Sequence, residues 1–504
     1  MSGEHAGRAI GGIAYTSVAQ AVKVTLGFMS TVLLTRLLAP EDFGLVAMVM
    51  PVVALAMLAQ DFGLSQVTIQ AERIENSEVS TLFWIGLLVS VLLAGGIAAS
   101  ASFVAQFYGE PRAMPLLLAF SGLVVVWGVS SQPVALLTRH MRFKALAAID
   151  IGAALAGFAV GIAIAYVWRT YWALFAAALC VAFTTAAGSW IASRFRPTRP
   201  QGSGTLKRQL QFGGSVSGFN FMNFFARNLD AVLIGRVHGP AALGLYERAY
   251  KLLLFPLQQV TIPLARVMVP LLSRRQSDPE GYRRGYFDCV GALLLLVHPG
   301  VLTAIVFAPA AFAVVLGPQW VEAAPIFQWL GLAGLHQAAT QTAGWLFLSQ
   351  ARGRDYLVLG ALGSAITVGA IVVGLPGGPL GVATAYAISE LVLKVPLILA
   401  IAGRSGPVRT RHLIASFGPH LIALLVAAGV LFAADAQLSV IGIEALVALT
   451  ILSYLAYGAT LLVFPAKRRL LAELFGRARA ALARRGSSAR AIPERTTTRP
   501  RRRS

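Results

Sequence analysis

The chain has 504 residues, of which 57% are apolar and only 12% are charged. Soluble domains carry about 25% charged residues, so this composition excludes a disordered chain and argues against a soluble enzyme. It indicates an integral membrane protein.

The formal net charge is +21, but it does not indicate a nucleic-acid-binding protein. The basic residues adjoin apolar segments, where membrane topology explains them better. The two cysteines, Cys180 and Cys289, lie in apolar stretches and lack the spacing of a disulfide pair or a zinc site. Because the sequence also lacks nucleotide-binding and metal-binding motifs, we expect no cofactor and no metal.

Fourteen segments are apolar enough to cross a bilayer, which takes about 20 residues. The seventh and eighth are the weakest because basic and acidic residues interrupt them. The loops between segments are too short to form an extramembrane domain. The sequence therefore predicts an all-α polytopic membrane protein with fourteen transmembrane helices. In chain order the segments cover residues 12–35, 43–60, 81–107, 114–137, 146–167, 171–194, 211–235, 243–272, 287–312, 323–348, 356–375, 379–402, 413–434 and 441–464.

The distribution of Lys and Arg predicts the orientation of these spans. If both termini are cytoplasmic, the inner loops and tails hold 31 of the 42 basic residues, the outer loops hold four, and seven fall inside spans. Cytoplasmic loops carry an excess of Lys and Arg, so this partition favours cytoplasmic N and C termini.

A 16-residue stretch recurs at an offset of 200 residues. Residues 31–46 (TVLLTRLLAPEDFGLV) and 231–246 (AVLIGRVHGPAALGLY) share six identities, which indicates an internal repeat. In each copy the proline is expected to stop a helix just after an arginine at headgroup level, and the glycine to let the next helix start tightly. A structural helix hairpin is favoured here over direct contact with a substrate. The repeated positions are Arg36 and Arg236, Pro40 and Pro240, and Gly44 and Gly244.

The repeat divides the chain into two halves of six spans each. We predict an N-terminal six-helix bundle over 1–195, a cytoplasmic linker over 196–210 and a C-terminal six-helix bundle over 211–402. Two additional transmembrane helices follow over 403–464, and then a basic cytoplasmic tail over 465–504, expected to lie on anionic lipid. Because six is even, both halves enter the membrane in the same direction, as a parallel repeat. Two such bundles facing one another enclose a central cavity, as in alternating-access transporters.

Polar residues inside the apolar spans predict that this cavity is cationic. A charge at the bilayer centre costs at least ~2.5–3.5 kcal/mol, so such residues usually face a cavity or a partner. Arg and Lys suit a substrate with phosphate or carboxylate groups, and amide side chains beside them suit sugar hydroxyls. The expected substrate-binding residues are Gln20, Lys23, Asn223, Arg227, Lys251 and Arg266.

Neutralisation within a single helix is the competing interpretation for some of these charges. Arg227 and Asp230 are three residues apart, and Glu390 and Lys394 are four apart with the acid first. Both spacings allow pairing on one helix face. For Glu390 and Lys394 this structural interpretation is the favoured one.

The other intramembrane cations are expected to lack an acid one helical turn away. Lys23, Lys251 and Arg266 would then bind substrate, reach toward the headgroups or pair across helices. Asp61 and Asp150 lie near the ends of spans, and we expect them to be helix caps or interface anchors.

The run Leu34–Gly44 (LTRLLAPEDFG) resembles the polysaccharide transporter family of the multidrug/oligosaccharidyl-lipid/polysaccharide exporter superfamily, in particular its Wzx-type flippases. Gly63–Gln70 with Ser80–Trp84 (GLSQVTIQ and STLFW), Arg139–Ile151 (RHMRFKALAAIDI) and Asn228–Leu254 (NLDAVLIGRVHGPAALGLYERAYKLLL) match the same family. The resemblance implies two six-helix bundles and two further helices. It also implies that undecaprenyl-diphosphate-linked oligosaccharide units are moved from the cytoplasmic to the periplasmic leaflet of the bacterial inner membrane.

Other functions remain open at this point. A cation-coupled small-molecule exporter and a peptidoglycan-precursor flippase share the implied plan. A membrane enzyme of glycan assembly is disfavoured because the sequence has no D-x-D motif and no large outer loop. The expected partners are the lipid-linked oligosaccharide, membrane lipids and, for polymer formation, a polysaccharide polymerase and export machinery.

Overall fold

The computed structural model describes residues 3–61, 63–200, 206–437, 442–465, 467–469 and 471–472. Within these ranges it also describes the side chains, except those of 3–14, 17, 61, 206–227 and 255–256. Every regular element in this part of the chain is a helix, and no strand occurs there. The all-α prediction is therefore confirmed.

Seven helices cover the N-terminal half. They are α1 (Gly3–Leu37), α2 (Pro40–Asp61), α3 (Leu64–Gln70), α4 (Asn76–Tyr108), α5 (Ala113–Arg139), α6 (Phe143–Trp168) and α7 (Trp172–Ser193).

Ten further helices follow, with short 3-10 segments at Pro318–Ala323 and Leu375–Gly377 and a π-helical turn at Glu390–Lys394. They are α8 (Leu206–Ser273), α9 (Pro279–Val306), α10 (Ala308–Val315), α11 (Ala324–Thr340), α12 (Ala343–Ser349), α13 (Gly353–Gly374), α14 (Gly378–Ser389), α15 (Val395–Gly403), α16 (Thr410–Asp435) and α17 (Ile443–Leu462).

Helix ends follow local backbone chemistry. Gly109 ends α4 in the left-handed conformation, with φ of 68°, which a residue without a Cβ adopts at no steric cost. The Asp278 carboxylate caps α9 by accepting a hydrogen bond from the Gly281 N–H at 2.9 Å, which satisfies one of the free donors of the first turn.

Each of the fourteen predicted spans coincides with helical residues, but not every one is a separate long helix. By length and composition, ten helices among the described residues can cross a membrane, or eleven if the bent α8 segments Asn228–Leu254 and Leu257–Ser273 form one span. The eleventh and twelfth predicted spans run together in Gly353–Gly403. The tenth is divided between α11 and α12. The count of fourteen stays a prediction.

Small residues bring neighbouring helices close together. A Cβ added to Gly157 of α6 would lie 2.4 Å from Val181 Cγ2, and one added to Gly161 would lie 2.9 Å from Ala177 Cβ. Small residues at a helix interface let the two backbones approach, as is common between transmembrane helices. They explain the tight pairing of α6 with α7.

The last two helices are attached to α9 by a buried polar cluster. The Tyr457 hydroxyl on α17 lies 3.0 Å from His298 Nδ1 on α9 and 2.8 Å from His420 Nδ1 on α16. All three side chains are buried. Because a buried polar group is costly unless it is hydrogen-bonded, this cluster favours one placement of α16 and α17 on the rest of the protein.

Candidate functional site

The two copies of the sequence repeat contact one another directly. A Cβ added to Gly44 would lie 1.6 Å from the Pro240 carbonyl oxygen, and one added to Gly244 would lie 1.9 Å from the Pro40 carbonyl oxygen. The glycine of each copy therefore packs on the proline carbonyl of the other. We call this reciprocal contact, formed by Pro40, Gly44, Pro240 and Gly244, the seam.

The prolines interrupt the helices as expected, but the prediction for the glycines was wrong. Helix α1 ends at Leu37 and α2 begins at Pro40, where a proline's missing N–H leaves no hydrogen bond unmade. The assigned helix α8 is interrupted at Gly239, with φ of 80°. Gly44 lies a full turn inside α2, so its small size serves the contact between helices rather than the start of one.

The repeated arginines reach across to the opposite half. Arg36 donates hydrogen bonds to the carbonyl oxygens of Val314 and Val315 at the end of α10. The Arg236 guanidinium lies 5.7 Å from the ring centre of Phe107 at the end of α4. Helix α4 matches the third predicted span, and α9 with α10 matches the ninth, so each arginine contacts the end region of the third span of the opposite half.

Further contacts reinforce the seam. The Gln319 amide and the Trp320 indole N–H both donate to the Thr35 carbonyl oxygen, each at 2.7 Å. The Arg248 guanidinium lies 4.1 Å from the ring centre of Phe43, a cation–π distance. Trp320 is fully buried and Phe43 nearly so, so this junction between the halves is closely packed.

A cavity of about 460 Å³ lies beside the seam. Its walls come from α1, α2 and α8 and from Leu316, and thus from both halves. Thr31 and Ala47 line it; Thr31 is about one helical turn from Thr35 on α1, and Ala47 about one turn from Gly44 on α2. The charged and amide side chains of its lining are those of Asn228, Asp230, Glu247, Arg248, Lys251 and Gln258.

The charges in this lining are largely paired with one another. Lys251 Nζ forms an ion pair with Glu247 Oε1, and Arg248 approaches Glu247 Oε2 at 3.5 Å. Asp230 accepts hydrogen bonds from the Tyr246 hydroxyl at 3.0 Å and from the Ala231 N–H at 2.8 Å. The prediction that Lys251 has no acid one turn away was wrong, because Glu247 precedes it by four residues.

The structure brings only one of the predicted cavity cations to the described lining. Lys251 is there, whereas Lys23 pairs with Asp150 on α6 at 3.2 Å, with 42% and 46% of the two side chains exposed. The expectation that Asp150 is a helix cap was therefore wrong, while its role as an interface anchor stays a prediction. Its carboxylate lies inside α6, where it neutralises a cation of α1.

The remaining predicted residues have different surroundings. The Gln20 amide lies 3.4 Å from the Gln259 side-chain oxygen, which joins α1 to α8 away from the seam. Arg266 is exposed on α8. The side chains of Asn223 and Arg227 lie outside the described residues, as does that of Asp61. Residues 473–504, most of the predicted tail, also lie outside them.

The expected pairing of Glu390 with Lys394 is confirmed. Lys394 Nζ contacts Glu390 Oε1 and donates to the Thr367 hydroxyl at 3.1 Å. His336 Nε2 of α11 lies 3.5 Å from Glu390 Oε2, a contact that the sequence did not indicate. A π-turn carries the pair.

A surface ion cluster lies at the rim of the seam. Arg112, in the turn between α4 and α5, contacts Glu41 at the start of α2 and donates to Glu110 Oε1 at 2.7 Å. The hydrogen bond from Arg112 holds the pKa of the Glu110 carboxyl below its usual value.

A family model described as "Polysaccharide biosynthesis protein" matches residues 33–325, more than half of the chain. The chain belongs to this family. Both copies of the repeat lie almost wholly within the matched range, and the resemblance found in the sequence is confirmed. With its many apolar helices, this family member is a multi-pass membrane protein.

Two curated relatives carry informative names. The lipopolysaccharide biosynthesis protein WzxC of Escherichia coli (strain K12) is 23% identical over 388 residues, covering 76% of this chain and 79% of WzxC. The succinoglycan biosynthesis transport protein ExoT of Rhizobium meliloti (strain 1021) is 25% identical over 308 residues, covering 61% and 62% of the two chains.

Solved structures show the same fold. The lipid II flippase MurJ in an inward closed conformation aligns with a TM-score of 0.72 over 91% of this chain and 100% of that chain, at 14% identity. An inward-facing multidrug resistance transporter of the MATE family aligns with a TM-score of 0.50 over 78% and 100%, also at 14% identity. At these identities the likeness concerns the fold alone.

Proposed function

We propose that the protein is a flippase that moves undecaprenyl-diphosphate-linked oligosaccharide from the cytoplasmic to the periplasmic leaflet of the bacterial inner membrane. The observation that carries the proposal is a cavity between the two repeats with charged residues in its lining, bordered by their reciprocal seam, in a member of the polysaccharide biosynthesis protein family. The named relatives WzxC and ExoT support the same substrate class.

The arrangement of seam and cavity supports transport by alternating access. With cytoplasmic termini, α1 runs outward and the turn at Pro40 faces the periplasm. The seam then closes the cavity on the periplasmic side. Separating Gly44 from Pro240, and Gly244 from Pro40, would open that side while residues 1–195 and 211–402 each move as one bundle.

The opposite end of the cavity would close in the same cycle. The contact between Gln20 and Gln259 joins the two halves on the side away from the seam, and we propose that it tightens when the seam opens. Among the predicted substrate-binding residues, the exposed Arg266 and, on the part of α8 before Gly239, Arg227 are suited to the diphosphate, which binds Arg through charge-assisted hydrogen bonds.

This function can be tested by deletion and complementation. In a host without the gene, lipid-linked oligosaccharide should accumulate in the cytoplasmic leaflet and extracellular polysaccharide should be lost. The wild-type gene should restore both, and so should a Gly27→Ala variant, because a Cβ at Gly27 meets no atom within 4 Å. Normal arrival of the oligosaccharide in the periplasmic leaflet of the deletion strain would contradict the proposal.

A further inference from the structure

The charge balance of the cavity is a poor match to a diphosphate. Among the described lining residues, the acids Asp230 and Glu247 offset the bases Arg248 and Lys251. Both bases approach the same Glu247 carboxylate. A diphosphate entering this space would have to displace that carboxylate and would lie close to Asp230, with which it shares the sign of charge.

Two atoms in the lining lack the kind of partner that a hydroxyl supplies. Glu247 Oε2 and Arg248 Nε are buried and make no hydrogen bond within the described part of the chain. An ionised carboxylate only accepts hydrogen bonds and a guanidinium only donates them, whereas a hydroxyl does both. A sugar hydroxyl can donate to such a carboxylate oxygen or accept from such a guanidinium N–H, while an unprotonated phosphate oxygen can satisfy only Arg248.

Aromatic rings provide the apolar part of the cavity. Tyr246 and Tyr250, one turn apart on α8, have parallel rings with centres 6.2 Å apart and planes 9° apart. The hydrogen bond from Tyr246 to Asp230 fixes the first ring. Phe28 lines the cavity from α1 in the opposite half. Rings with a negative face attract the slightly positive C–H groups on the flat face of a sugar.

We propose that this cavity binds the saccharide part of the substrate and that the diphosphate binds outside it. The ligand class is a hydroxyl-rich sugar, stacked on Tyr250 and hydrogen-bonded to Glu247, so the cavity selects the glycan rather than the lipid carrier. The inference rests on the function proposed above. It adds that the saccharide and the diphosphate of one substrate bind at two different places along α8.

Binding measurements on the purified full-length protein test this division. One probe is the lipid-linked oligosaccharide extracted from the deletion strain, and the other is undecaprenyl diphosphate, which has no sugar. Glu247→Gln and Tyr250→Leu should each weaken binding of the first about tenfold, the loss expected for one hydrogen bond to a charged group or one stacked ring. Both variants should leave the affinity for undecaprenyl diphosphate within about twofold.

Two variants that each remove one positive charge test where the diphosphate binds. Lys251→Gln should leave the affinity for undecaprenyl diphosphate unchanged, because Lys251 serves Glu247, whereas Arg266→Gln should weaken it. Matched controls are Glu444→Gln and Tyr166→Leu, the same chemical changes at exposed positions outside the cavity. Tyr250→Phe keeps the ring and should bind the lipid-linked oligosaccharide better than Tyr250→Leu does, which separates stacking from a folding defect.

The outcomes separate this inference from the proposed function. A fall of tenfold or more in affinity for undecaprenyl diphosphate in Lys251→Gln would overturn the inference and make the cavity a diphosphate site. Equal affinity of wild type and Glu247→Gln for the lipid-linked oligosaccharide would overturn it as well. If the wild-type protein binds neither probe better than it binds undecaprenol, the proposed function itself fails.

Discussion

The seam and the cavity are neighbours on α2 and α8, but different kinds of contact form them. The seam is a contact between backbones, in which glycine on one copy of the repeat meets a proline carbonyl on the other. The cavity is lined by side chains whose charges pair with one another. We infer that the seam tolerates almost no change in shape, whereas the cavity can be altered to suit different substrates without loss of the closed state.

The largest effect on the stability of the closed seam is expected for Gly44→Ala. The added Cβ would overlap the Pro240 carbonyl oxygen, and overpacking of this kind costs about 1–3 kcal/mol. Because that cost applies only to the conformation with a closed seam, it shifts the equilibrium toward the conformation with an open seam by about 5- to 150-fold. A cysteine introduced at Thr31, in the cavity wall, should then react faster with a membrane-impermeant thiol reagent added from the periplasmic side, and export should fall.

Gly27→Ala is the matched control for that experiment, since its Cβ has open space. It should leave both the labelling of the Thr31 cysteine and export unchanged. Unchanged labelling in Gly44→Ala, with normal protein amount, would show that the glycine contact does not hold the seam closed.

A smaller effect is expected for Trp320→Phe. This variant keeps a ring beside Phe43 but removes one of the two donors to the Thr35 carbonyl. Because Gln319 still donates, the closed seam should lose about 1 kcal/mol, seen as a modest rise in labelling at the Thr31 cysteine. Trp320→Phe combined with Gln319→Ala leaves a buried carbonyl without these donors and should raise labelling further. Equal labelling in the single and double variants would exclude a role for this carbonyl.

Lys251→Gln tests whether a charge in the cavity can be removed without opening the seam. The Lys251 side chain is 58% exposed, and an exposed ion pair contributes about 0–1 kcal/mol. Protein amount and labelling of the Thr31 cysteine should therefore stay close to wild type. A large increase in labelling would show that the cavity charges also hold the seam closed.

The smallest effect concerns pH at the rim of the seam. The hydrogen bond from Arg112 lowers the pKa of Glu110, so its stabilisation is present above the usual carboxyl pKa of about 4.3 and is lost as pH falls through the lowered value. Arg112 is 45% exposed, which limits the effect to less than about 1 kcal/mol. The difference in melting temperature between wild type and Glu110→Gln should shrink below about pH 4. A difference that persists at lower pH would contradict this assignment.

The sequence predicted the helices, the repeat and the chain breaks at Pro40 and Pro240, since these depend on local composition and on a proline's geometry. It did not predict what Gly44 contacts, because the partner lies about 200 residues away. Pairing of Lys23 across helices was one of the alternatives left open, but its partner Asp150 was not predicted, for the same reason. By contrast, the pairing of Glu247 with Lys251 could have been predicted. It has the same four-residue spacing from which the pairing of Glu390 with Lys394 was predicted.

The central claim is that the two halves separate at the seam during transport. A variant with Arg36→Cys and Val314→Cys, with Cys180 and Cys289 replaced by Ala, places one thiol on each side of the seam. A short, cleavable bifunctional thiol reagent should bridge them and stop export of lipid-linked oligosaccharide until the bridge is cleaved. The same treatment of Glu41→Cys with Arg112→Cys bridges two residues of one half and should leave export intact. Undiminished export with the first bridge in place would contradict the account.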